Sequence, residues 1–160
     1  MLSFVDTNIW VYRLMSVDPA DPEAVRKQSV ATELLASLAA EKQIVVSAQV
    51  LSEFFTTTIR KGTVPLSLHD AFIETNFIAS FPVISISASL VQAGIARMQK
   101  NQLSYWDALI VESALRAGAS ILYSEDLQHG MRFDSLEVRN PFLAGAGYAS
   151  SKTILKSPGI

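Results

Sequence analysis

The sequence predicts an α/β domain of three layers, α/β/α, with helices on both faces of a short, mainly parallel central sheet. Three observations lead there. Short apolar runs that read as buried strands, among them Leu2-Ser3-Phe4-Val5, Gln43-Ile44-Val45-Val46 and Ile121-Leu122-Tyr123, alternate along the chain with longer stretches of helical spacing. The chain has 160 residues, 49% of them hydrophobic and 18% charged, which suits one folded domain with a sizeable core. Two of the strands run straight into acid-bearing turns, Asp6-Thr7-Asn8 and Ser124-Glu125-Asp126. In open α/β sheets, ligands sit outside the carboxyl ends of the strands.

Taken in order, the first strand ends at Asp6, and Asp6 or Asn8 can bond the first N–H groups of a helix over Ile9 to Met15. Asp18-Pro19-Ala20-Asp21-Pro22 is a loop, since each proline disfavours helix in the residue before it. Asp21 then caps a long amphipathic helix that has Pro22 in its first turn and runs to Ala40, with Glu23 placed to pair Arg26 and Lys27. After the strand at Gln43–Val46, Ser47 caps a helix carrying Val50, Leu51, Phe54, Phe55 and Ile59, with a stop expected near Gly62 and Pro65. A helix follows from Ser67 to Ser80, then a short strand over Val83 to Ile86, then a helix capped by Ser87 or Ser89 and reaching Lys100. Ser104 caps the next helix, Tyr105 to about Arg116, and Gly118 stops it. The strand Ile121–Tyr123 comes next, and Leu136-Glu137-Val138 reads as a last, edge strand before Asn140-Pro141. Residues 1–143 are thus expected to form the domain. Residues 144–160, with small side chains, Ser150-Ser151, two lysines and no acid, are expected to be a flexible tail.

Composition excludes several chemistries. Without cysteine there are no disulfides, thiolate metal sites or Cys nucleophile, and two histidines, His69 and His129, rule out a His-rich zinc centre. No apolar run has the length of a membrane span, and the start lacks the pattern of a signal peptide, so no membrane and a cytoplasmic home are expected. A net charge of −2 argues against holding nucleic acid by charge alone. It leaves open an enzyme that cuts nucleic acid, because a bound divalent cation reverses the local field.

The acids then need sorting. Glu23 has Arg26 and Lys27 on its helix face, and Glu112 has Arg116 four residues on, so both read as solvated ion pairs. Glu53 and Asp107 have no such cation: Thr56 and Thr57 follow the first, Ile110 and Val111 the second. Each has a plain alternative, Asp107 as an interior helix cap and Glu53 as a rim residue. Asp6, too, is by itself better read as a cap than as a ligand. Together they form a more specific pattern. If the strands that precede Asp6 and Asp126 are neighbours, these two carboxylates converge, and Glu53 and Asp107 can reach the same end of the sheet. Four carboxylates there cannot all stay ionised without cations. Oxygen ligands alone suit Mg²⁺ or Mn²⁺, the ions of phosphodiester hydrolysis.

Val5-Asp6-Thr7-Asn8, Ser47-Ala48-Gln49-Val50-Leu51-Ser52-Glu53-Phe54-Phe55, Ser104-Tyr105-Trp106-Asp107-Ala108-Leu109-Ile110 and Leu122-Tyr123-Ser124-Glu125-Asp126-Leu127 stand in an order and spacing that resembles the PIN-domain family. The likeness runs from about Met1 to Asn140 and is greatest to the VapC-type toxins of bacterial toxin–antitoxin pairs. It implies a Mg²⁺- or Mn²⁺-dependent endoribonuclease whose catalytic, metal-holding acids are Asp6, Glu53, Asp107 and Asp126, with Asn8 and Ser124 in support. It also implies RNA as substrate, a small antitoxin as partner and a homodimer. The loop Ser16 to Pro22 and the segment after Ala144 have no counterpart in the family pattern.

Other residues are read as structural. His129 is taken as a turn residue with a local hydrogen bond and His69 as solvent-facing; Trp10, Tyr12, Tyr105 and Trp106 are placed in core or dimer surface rather than against bases. Arg13 and Arg60-Lys61 are read as solvated. Two rival functions stand beside the nuclease. A small-molecule phosphatase of the Asp-nucleophile kind would want a second Asp where Asn8 stands. A degenerate domain that holds RNA or protein without cleaving it would not need all four acids.

Overall fold

The computed structural model describes residues 1–60 and 65–143. Gly62, expected to help end a helix, and the tail assigned to 144–160 lie outside the described residues. In chain order the elements are β1 (Ser3–Val5), α1 (Thr7–Leu14), α2 (Pro22–Ala40), β2 (Ile44–Ser47), α3 (Ala48–Thr58), α4 (Leu68–Ile78), β3 (Val83–Ile84), α5 (Ala88–Asn101), α6 (Tyr105–Arg116), β4 (Ile121–Tyr123), β5 (Arg132–Phe133) and β6 (Leu136–Arg139).

Capping explains most of the boundaries. Asp21 accepts from Glu23 and Ala24 N–H, Ser47 from Val50, Ser67 from Asp70, Ser87 from Leu90 and Ser104 from Asp107. The Asp6 side chain accepts from Thr7 N–H, so α1 starts two residues earlier than its apolar pattern suggests. Gly118, at φ +70°, follows α6 in the left-handed conformation that glycine adopts most readily.

The sheet order is β3-β2-β1-β4-β6-β5, parallel throughout except for the β5–β6 pair. From β1 the chain steps outward to β2 and β3, then returns across the sheet to β4 on the other side of β1. Right-handed crossovers in opposite directions put helices on opposite faces, and between β1 and β4 they leave a crevice at the carboxyl ends of the strands. Phe4, Val5, Ile9, Trp10, Leu34, Val46, Val50, Phe54 and Leu122 fill the core around those strands. Among the described residues no helix is long and apolar enough to cross a membrane.

Three local expectations change. The strand at Leu136 is not the edge: Arg132–Phe133 turns back on it through Asp134, at φ 53°, and a two-residue strand is too short to leave a periodic signal. Glu112 pairs with Arg97 of α5 at 2.6 Å, while Arg116 donates to the hydroxyls of Ser87 and Ser89. Lys27 leaves Glu23 to Arg26 and reaches Glu125 and the Tyr12 hydroxyl. In the last two cases a partner from elsewhere in the chain outcompetes the neighbour on the same helix.

Candidate active site

Val5 pairs with Tyr123, so β1 and β4 end side by side, and Asp6 N–H donates to the Tyr123 carbonyl at 3.0 Å. Asp6 is the first residue past β1 and is only 6% exposed. One of its oxygens accepts from Thr7 N–H and the other from the Ser124 hydroxyl, each at 2.7 Å. Burial raises its pKa from 3.8 to about 7; the Ser124 and Thr7 hydrogen bonds oppose the rise, and the charges of Asp126 and Glu53 add to it. Burial therefore favours the neutral form of this carboxyl far more than water does.

Ser124, fully buried, also receives Asp126 N–H at 3.2 Å, which folds the turn after β4 back toward Asp6. Asn8, in the first turn of α1, donates its amide to Asp126 Oδ2 at 3.1 Å. Its own Oδ1 is buried without a partner. Glu53 arrives from α3, where Thr7 Oγ1 donates to its Oε2 at 3.0 Å and Gln49 Nε2 to its Oε1 at 2.7 Å. Asp6, Glu53 and Asp126 therefore share one electrostatic environment. Asp107 stands apart. It closes a reciprocal cap with Ser104, and its connection to the others runs through the backbone of its neighbour, since Gln49 Nε2 also donates to the Trp106 carbonyl at 3.2 Å.

Thr7 and Gln49 had no place among the residues picked from sequence. Gln49 did carry a signal, lying four residues before Glu53 on the same helix, within side-chain reach. The other assignments divide. His129 Nδ1 accepts from Asn140 N–H in a turn, His69 is exposed and Trp10 is in the core. Arg13, read as solvated, pairs with Glu74 at 2.6 Å; Trp106, read as core or dimer surface, is 61% exposed on the single chain and so is not core.

Among the described residues, no three acids or histidines stand close enough to hold one ion between them. Mg²⁺ is often held by only one or two carboxylates and keeps several waters. The oxygen-only donor set and the unpartnered Asn8 Oδ1 fit an ion bound in that hydrated way.

The sequence matches the PIN-domain family over residues 3–131. No curated protein matches it significantly. Among solved structures it is similar to VapC20 of Mycobacterium tuberculosis, a toxin that cleaves the sarcin–ricin loop, at 21% identity over 76% of this chain and 88% of that one, with a TM-score of 0.57. A toxin–antitoxin complex from Klebsiella pneumoniae shares 17% identity over 87% and 97% of the two chains, with a TM-score of 0.61. VapBC2 of Rickettsia felis, bound to a fragment of promoter DNA, shares 19% over 88% and 98%, with a TM-score of 0.59. At such identities the likeness speaks for the fold. The family match, spanning most of the chain, shows that it belongs to the PIN-domain family, whose members are generally divalent-metal-dependent nucleases.

Proposed function

We propose that the protein is an endoribonuclease, dependent on Mg²⁺ or Mn²⁺, and the toxin of a cytoplasmic toxin–antitoxin pair. The observation that carries this reading is the meeting of Asp6 and Asp126 at the carboxyl ends of adjacent strands, with Glu53 close enough to act on Asp6. Asp6 and Asp126 would hold the ion, and Glu53 and Asp107 would engage it through water or hold a second one. When bound, the ion supplies Lewis-acid polarisation of a phosphoryl oxygen and a lower pKa for water.

The chain's own groups do the positioning. Ser124 holds Asp6 in one rotamer, and Asn8 holds Asp126. Thr7 and Gln49 fix both oxygens of Glu53, yet each oxygen keeps a lone pair to accept a proton from attacking water. An antitoxin that covers the acids is the proposed partner, by analogy with the two toxin–antitoxin complexes above, and the toxin would act as a homodimer. The test is incubation of the purified chain with mixed-sequence RNA and Mn²⁺. Cleavage that stops with EDTA and with Asp6→Asn is expected. Cleavage indifferent to both, or none by wild type, would overturn the reading; RNA binding without cleavage would favour the degenerate domain.

A further inference from the structure

Beside the carboxylates lies a cleft of about 480 Å³, within the roughly 300–1,000 Å³ of small-ligand sites. Ile86, Tyr105, Trp106 and Leu109 give it apolar walls, and Gln49 and Glu53 are among its polar members. The walls are set by close helix packing. A Cβ on Gly94 of α5 would stand 3.3 Å from Leu109 Cδ1 and 3.5 Å from Tyr105 Cε2, so glycine here lets α5 close on the first turns of α6. Tyr105 and Trp106 meet edge to face at 5.0 Å between centroids, and Trp106 is left 61% exposed.

Gln49 supplies the second observation. It is only 7% exposed, and its Nε2 donates to Glu53 Oε1 and to the Trp106 carbonyl. Both partners are acceptors, so the amide can face only one way. Its Oε1 is buried with no partner, a costly state that a small shift of Gln49 toward a donor in the cleft would relieve.

We propose that this cleft is a nucleobase pocket, in which Trp106 stacks on an RNA base and Gln49 Oε1 accepts from its exocyclic amino group. Adenine, cytosine and guanine carry that group. Uracil lacks it: its one edge donor, N3–H, is flanked by two carbonyl oxygens that would be turned toward Gln49 and Glu53. Unpaired RNA bases are commonly read in this way, by stacking on an aromatic ring and hydrogen bonding along an edge. In the active, antitoxin-free enzyme RNA is what lies at the acids, and the cleft shares Glu53 with them, so a base rather than a peptide fills it. The occupant is thereby the nucleotide next to the phosphate at the acids. This inference rests on the ribonuclease reading and adds to it a determinant of cleavage sequence.

The test separates binding from cleavage. Short oligo(A), oligo(C) and oligo(U) are titrated in EDTA, following tryptophan emission for wild type and the anisotropy of end-labelled oligomers for every variant. The only other tryptophan, Trp10, is buried in the core, so quenching reports Trp106. Oligo(A) and oligo(C) should quench and bind about tenfold more tightly than oligo(U), a difference of one good hydrogen bond. Trp106→Ala should weaken both by roughly 5- to 100-fold, the range for losing one stacked base. Trp106→Phe should keep most of the affinity, and Gln49→Met should flatten the preference; thermal melts check that each variant is folded. Equal binding of all three oligomers, or a Trp106→Ala variant that binds like wild type, overturns the pocket. So does quenching by an Arg-rich helical peptide with none by any RNA, which would make the cleft a protein groove. Cleavage of mixed-sequence RNA in Mn²⁺, run in parallel, keeps the two readings distinct. Cleavage without base preference removes the pocket alone, whereas base-selective binding without cleavage supports the pocket and removes the ribonuclease.

Discussion

Helices α4 and α6 begin with the same four-residue device. At α4, Ser67 Oγ accepts from Asp70 N–H at 3.0 Å and donates to Asp70 Oδ2 at 2.7 Å. At α6, Ser104 does the same with Asp107, at 3.1 and 2.7 Å. The caps also share backbone geometry, φ −63° and ψ 157° against φ −62° and ψ 153°. What differs is the next neighbour. Asp70 is exposed on a surface helix, whereas Asp107 is half-buried and follows Trp106, whose carbonyl is tied by Gln49 to Glu53. A Ser-x-x-Asp start therefore reveals a helix and nothing about chemistry. Only the tertiary surroundings can make one of the two acids part of a site.

The sharpest way to break this comparison is to remove one charge at a time. Asp107→Asn should lower RNA cleavage in Mn²⁺ by more than about 100-fold, the upper end of what loss of a metal-supporting group costs. Asp70→Asn, with the same cap chemistry, should stay within about twofold of wild type, as surface changes away from a site do. Glu112→Gln is a poor control, because that side chain is paired with the half-buried Arg97. Equal activity for both Asp→Asn variants would reduce Asp107 to a cap.

The next effect separates Asp6 from both capping acids. Its folded pKa is about 7, far above that of an unfolded carboxylate. As pH rises from about 4, the unfolded chain loses this proton first, so stability falls up to about pH 7 and levels beyond. In metal-free buffer, Asp6→Asn should gain on wild type across that window by an amount on the order of a few kcal/mol. Thermal melts at stepped pH measure it. A constant difference between the two proteins would mean that Asp6 is not the group held neutral.

Metal sharpens the same contrast. Millimolar Mn²⁺ should raise the melting temperature of wild type, by an amount equivalent to about 2.7 kcal/mol where the ion is at a hundredfold excess over its Kd. The Asp6→Asn/Asp107→Asn double variant should respond far less, and Asp70→Asn should respond like wild type. An equal upward shift in all three would place the ion elsewhere.

Much of this arrangement was legible in the sequence, and what was missed has a common cause. Ser47, Ser67 and Ser104 could be read as caps because a cap bonds its own near neighbours, and β1 and β4 could be matched as short apolar runs ending in acid turns. The convergence of Asp6 with Asp126 followed once those strands were taken as neighbours. Pairings between elements left no local trace. Arg97 with Glu112, Lys27 with Glu125 and Thr7 with Glu53 join residues 15, 98 and 46 apart. The exposure of Trp106 was hidden for the same reason. A helical aromatic in an apolar chain reads as core or dimer surface, and only the folded chain, in which Gly94 of α5 packs on Tyr105 and Leu109 of α6, shows Trp106 left outside the core.

The smallest effect tests the caps themselves. Ser67→Ala and Ser104→Ala each remove an acceptor for one N–H and a donor to one carboxylate. Each should cost about 1 kcal/mol of stability, the usual value for a lost N-cap, and the two losses should agree closely because the geometries do. Activity should separate them. Without Ser104, the Asp107 carboxylate gains rotamers and an unmet lone pair, so cleavage should fall by about 10-fold, as when a supporting group of a metal site is lost. Without Ser67, cleavage should be unchanged once both variants are assayed well below their melting temperatures. Urea titration and initial rates on one RNA measure the two quantities. If Ser104→Ala loses stability but no activity, Ser104 is only a cap, and Asp107 takes its orientation from some other contact.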